Sequence, residues 1–116
     1  MKTINYELAK KLYDVGVVIE SEQSFFFENN EWDESIILCN SNTKDEEWEL
    51  WFRVKVCPAP NVEEVIEFLP DGIEIFKAPW GYTIYRDWQS ISKPSLLESL
   101  EATLEYLLDN WHLWKQ

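Results

Sequence analysis

Little in this chain resembles the equipment of an enzyme. It has one histidine, three glycines and two cysteines. The histidine, His112, has no evident serine or cysteine partner, so no nucleophile–base pair of covalent catalysis is in view. It falls near the end of an expected helix, where the helix dipole favours its protonated form. Turns account for Gly16, Gly72 and Gly81, which leaves no glycine-rich loop to cradle a phosphate. Among so many carboxylates a lone acid–base pair carries no information. The stretch from Asp33 to Cys39 lacks the spaced oxygen ligands and central glycine of a calcium loop. No catalytic residue, metal or cofactor is expected.

Other absences bear on location. No run approaches the roughly 20 apolar residues of a membrane span, so no membrane partner is expected. Met1 to Asn5 has one lysine and no long apolar run, unlike a secretory leader. Cys39 and Cys57 therefore read as thiols in a reducing compartment, the cytoplasm.

Basic residues are scarce as well. There are 10 Lys and Arg against 22 Asp and Glu, a net charge of -12 on 116 residues. Such a chain repels nucleic acid and favours basic partners. Disordered acidic chains are poor in aromatics, but this one holds seven Trp, five Tyr and six Phe, so it is expected to fold. Its length fits one domain, residues 1–116, burying roughly two thirds of the unfolded surface.

The element pattern is α-β-β-β-α-β-β-α. Asn5 to Val15 reads as a helix, with Asn5 as cap and Gly16 as stop. Leu8, Leu12 and Val15 form its apolar stripe. Phe25–Phe27 and Ile36–Leu38 read as strands. Glu47 to Val56 alternates strictly, with Trp48, Leu50, Phe52, Val54 and Val56 inward and Glu47, Glu49, Trp51, Arg53 and Lys55 outward. It is expected to pair with Ile36–Leu38 as an antiparallel hairpin. Asn61 and Glu64 have capping-box spacing and open a second helix, stopped at Pro70-Asp71-Gly72. Ile73–Phe76 and Tyr82–Trp88 flank Ala78-Pro79-Trp80-Gly81 as a hairpin. Ser90 to Pro94 reads as a loop. A last helix runs from about Ser95 to Trp114, with Leu97, Leu100, Leu104, Leu107, Leu108 and Trp111 as a wide stripe. Hairpin-linked strands with helices between them predict a two-layer α+β fold, an antiparallel sheet covered on one face.

Three patterns are candidates for partner binding. In the last helix Glu98, Glu101, Glu105 and Asp109 stand one above the next, and no lysine occurs between Pro94 and Trp114. This stripe lies about 125° from the leucine stripe and faces water. It is either a solvated helix face or a row of carboxylates, imitating the spaced charges of a nucleic acid, presented to a basic groove. Glu47, Glu49 and Trp51 share the polar side of the clearest strand. Trp51 is there either an interface aromatic ringed by charge or a side chain covered by another element. Finally, Glu28, Glu31, Asp33 and Glu34 surround Trp32, as Asp45, Glu46, Glu47 and Glu49 surround Trp48. These two clusters merge if their strands share a sheet.

Three segments also carry a resemblance. They are Glu7-Leu8-Ala9-Lys10-Lys11-Leu12 followed by Gly16, Pro60-Asn61-Val62-Glu63-Glu64-Val65-Ile66, and the leucine-rich last helix ending in Trp111. This order is similar to small bacteriophage and prophage proteins with an ELAK-type first helix, a P-x-x-EE-type middle helix and a last helix after an aromatic hairpin. The chain departs from them in its longer Asn40–Glu47 turn. It also has Lys93-Pro94-Ser95 where they open the last helix with Thr-Pro-Glu-Glu. The resemblance implies a phage accessory protein acting in the host cytoplasm by binding host factors. The expected function is thus a non-enzymatic acidic interaction protein that binds a basic protein surface, as an inhibitor or nucleic-acid mimic. An immunity-type or regulatory protein neutralising one enzyme, and a virion or prophage structural component, are the alternatives. Oligomeric state is left open.

Overall fold

The computed structural model of the chain describes residues 2–86 and 89–110. The expected positions Trp88, Trp111, His112 and Trp114 lie outside the described residues. The element order is α1 (Tyr6–Asp14), β1 (Gln23–Asn29), β2 (Glu34–Asn40), β3 (Glu46–Trp48), β4 (Trp51–Pro58), α2 (Val62–Phe68), β5 (Glu74–Ala78), β6 (Gly81–Arg86), β7 (Gln89–Lys93) and α3 (Leu96–Asp109). All named strands pair antiparallel, in a four-stranded sheet ordered β2-β1-β4-β3 and a three-stranded sheet ordered β5-β6-β7. The fold class is α+β, as the pattern implies, with the strands divided between two sheets.

The helices start where side chains satisfy their first N–H groups. The Asn5 carboxamide oxygen accepts from Leu8 N–H at 2.8 Å. Asn61 and Glu64 form a reciprocal capping box, and the Ser95 hydroxyl accepts from Glu98 N–H at 3.1 Å. Gly16, at φ 89°, ends α1 in a conformation that costs other residues more. The apolar faces of α1 (Leu8, Leu12) and α3 (Leu100, Leu104, Leu107) meet in one core with Val65 of α2, Ile84 of β6, and Phe25 and Cys57 at the inner end of β1 and β4.

Three local expectations are corrected. First, Glu47–Val56 is two strands. β3 and β4 are joined by the two-residue turn Glu49-Leu50, so Trp48 faces Trp51 across the hairpin. Trp48, Leu50 and Val54, expected inward, are exposed. Strict alternation runs unbroken through a two-residue turn, and Glu49-Leu50 lacks the Asn, Asp or Gly that usually marks one. Second, Ile36–Leu38 does not pair with β4. β1 lies between them, pairing β2 on one side and β4 on the other. A short local turn decides this. The Asn30 carboxamide oxygen accepts from Trp32 and Asp33 N–H at 2.8 Å each, folding β2 back onto β1. Third, the expected loop at Ser90–Pro94 is largely β7, in register with β6 through Ile84 and Ile91.

The connection from β2 to β3 must cross β1 and β4. It does so over the face that carries Phe26 and Lys55. Ser41 is held there by a 2.7 Å hydroxyl contact with Ser24 and by donating to Ser21 C=O at 2.8 Å. The Lys55 ammonium donates to Ser41 C=O and lies 5.8 Å from the Phe26 ring centre. Phe26 is fully buried beneath this crossing. Both cysteines are free. Cys39 lies beside Ser24 and Cys57 beside Phe25, so they occupy opposite faces with β1 between them. That placement forbids a disulfide without large backbone movement.

Candidate partner-binding surface

The four-stranded sheet has a buried inner end and an open outer end. β1 runs antiparallel to β4, with Glu28 beside Arg53 and Asn29 beside Phe52. The β1–β2 turn and the β3–β4 turn therefore emerge together at the outer end, about 13 Å beyond Phe25 along the strand. This pairing brings the two acid-and-tryptophan clusters to one place.

Three large apolar side chains stand out from this end. Trp32 is 88% exposed, Trp48 70% and Leu50 63%. On one face the rings of Trp48 and Trp51 lie 5.1 Å apart, tilted by 55°. The Arg53 guanidinium carbon sits 5.3 Å from the Trp51 ring centre, close enough for a cation–π contact. Its Nη2 is 3.5 Å from the Glu46 carboxylate. Trp51 is thus half-buried between Trp48 and Arg53, so of its two expected environments the structure shows a mixture. Phe27 and Phe52 pair on the opposite face, with ring centres 5.7 Å apart.

The carboxylates divide by what they touch. Glu46 is paired with Arg53, and Asp45 accepts from Lys55 N–H at 2.8 Å, closing the inner end of the β3–β4 ladder. Glu31, Glu34, Glu47 and Glu49 are exposed and make no ion pair among the described residues. The outer end therefore presents unpaired negative charge around exposed indole rings.

The row on α3 is a different surface. Glu98, Glu105 and Asp109 are exposed. Glu101 is half-buried, and its carboxylate accepts from Asn5 N–H at 2.8 Å and from the Asn5 carboxamide at 2.7 Å. That residue fastens α3 to the start of α1, a role with no signal in the helical spacing. The structure thus brings Glu47, Glu49 and Trp51 together with Trp32 and Trp48, and sets Glu98, Glu105 and Asp109 apart on the helix. The alternation places Leu50 and Trp48 inward, whereas both are exposed. The sign was the hidden turn, since neither side chain can point inward once Glu49-Leu50 reverses the chain.

No group of three His, Cys, Asp or Glu among the described residues is placed to hold a metal ion, and no described helix is long and apolar enough to cross a membrane. Burial pushes the Cys57 thiol up to about 11, so it stays protonated at neutral pH and is a poor nucleophile. An open cleft of about 860 Å³ lies between the Val18–Glu22 segment and α2. Of its lining carboxylates, Glu64 is engaged within the fold. Glu64 accepts from the Ser21 hydroxyl at 2.8 Å and from Glu22 N–H at 3.0 Å. No protein family's profile matches this chain, and neither a curated protein nor a solved structure matches it.

Proposed function

We propose that this chain is a non-enzymatic interaction protein whose outer sheet end binds a basic protein surface. The observation that supports this reading most is the convergence of the two hairpin turns, which gathers Trp32, Trp48, Glu31, Glu34, Glu47 and Glu49 on one exposed end. Indole rings supply buried contact area, and the surrounding charge selects a partner of opposite sign and speeds its approach. The net charge of -12 acts in the same direction. Likeness to phage accessory proteins would make the partner a host protein.

A second reading places the contact on α3. The exposed carboxylates Glu98, Glu105 and Asp109 favour it. Capture from host extract separates the two. Trp32→Ala with Trp48→Ala should abolish recovery of the partner, while Glu98→Lys with Glu105→Lys should leave it. The opposite pattern would move the site to α3. Glu101 is left intact in both variants because it holds Asn5.

A further inference from the structure

We propose that β2 is the seam of a homodimer, pairing antiparallel with β2 of a second copy to join the two four-stranded sheets into one. This inference is independent of the acidic end and its partner. Among the described residues β2 is an edge strand, with β1 as its only paired neighbour. Every second residue of an edge strand directs its N–H and C=O away from the sheet, ready for another strand.

The sheet edges differ in how they discourage such pairing. β3 is three residues long with two glutamates, β5 carries Glu74 and Lys77, and β7 ends in Lys93 followed by Pro94. Shortness, charge and proline are the usual protections of an edge. β2 is seven residues long, without proline, and Ser35 to Cys39 contains no charge. Ile36 and Leu38 remain 37% and 41% exposed.

The occupant follows from the charge pattern. Antiparallel partners share a face, so register moves in steps of two. The register that pairs all of β2 with itself sets Glu34 against Asn40, Ser35 against Cys39, Ile36 against Leu38, and Ile37 on the two-fold axis. No like charges oppose each other, and the apolar pairs extend the face already formed by Phe27 and Val54 beside Ile36. The reversed direction also sends the two acidic ends to opposite sides. They lie about 20 Å apart along the strands, more than two Debye lengths at physiological salt. Within the paired strands no like charges meet; the nearest carboxylates of the facing copy are Glu20, Glu22, Glu64 and Glu67, which line the cleft beside Asn40 and whose repulsion salt screens.

Sedimentation equilibrium on the full chain at physiological salt tests this. The expected mass rises with concentration from 13.9 kDa toward twice that value. Ile36→Lys with Leu38→Lys, which sets lysine against lysine at both apolar pairs, should raise the dissociation constant by about tenfold or more. Glu105→Lys should leave it unchanged. In a Cys39→Ser background, Ile37→Cys should form a disulfide-linked dimer under mild oxidation, and Thr43→Cys should not. A monomer at every concentration would overturn the proposal. So would a dimer indifferent to the paired lysines, which would place the interface elsewhere.

Discussion

The inner and outer ends of β1 and β4 are built from similar aromatic and aliphatic residues, yet they have different surroundings. At the inner end Phe25 and Cys57 belong to the common core, and Tyr6 of α1 meets the Phe25 ring edge-on at 5.4 Å. At the outer end Phe27, Phe52 and Val54 lie outside that core, and Trp32 and Trp48 stand in solvent. The strands run through both ends, but the helical core reaches only one. Aromatic content alone therefore does not distinguish a core from a contact surface. The deciding feature is whether a second layer reaches that far.

Substitution should expose this contrast in stability. Leu104 is fully buried where α3 meets the core. Leu104→Ala should cost about 2–5 kcal/mol through lost burial and the cavity left behind. Trp48→Ala, although it removes a larger side chain, should cost only about 1 kcal/mol, the scale of its ring contact with Trp51. Urea unfolding of the two variants checks the order. A Trp48→Ala loss equal to that of Leu104→Ala would show the outer end to be part of the folding core.

A smaller loss is expected where α3 is tied to α1. Asn5→Ala removes both a helix cap and the side-chain partner of Glu101, and should cost about 1–2 kcal/mol. Glu101→Ala should cost less, since the cap survives. Equal costs in thermal melts would mean that the cross-helix bond, not the cap, dominates.

The smallest effect should appear at alkaline pH. Burial raises the Cys57 pKa from 9.0 to about 11. The unfolded thiol then loses its proton first, so as pH rises the unfolded chain binds fewer protons than the folded one. The stabilisation is intact below about pH 9 and declines as pH climbs toward about 11. Cys57→Ala should show a shallower fall in melting temperature across that window than the unaltered chain. Parallel curves would show that the thiol ionises alike in both states.

Helix ends were legible because their signals are local. Asn5, the Asn61–Glu64 pair, and Gly16 each act within one turn of chain. The β3–β4 turn was not legible, because period-two alternation passes through Glu49-Leu50 without interruption. β7 was hidden by its serines, and its strand character comes from pairing with β6. The candidate surface was half legible. Its two acid-and-tryptophan clusters were plain in the chain, but their meeting depends on β1 lying against β4, a pairing between residues more than twenty positions apart. The engagement of Glu101 with Asn5 is likewise a long-range event that no helical spacing announces.

The association rate between this chain and its captured partner, measured across ionic strength, tests the account most directly. For the unaltered chain the rate should fall steeply as salt rises. Neutralising the outer end with Glu31→Gln, Glu34→Gln, Glu47→Gln and Glu49→Gln should slow association at low salt and flatten that dependence. An unchanged slope in this variant, together with a flattened one in Glu98→Gln, Glu105→Gln and Asp109→Asn, would contradict the account and place the contact on α3.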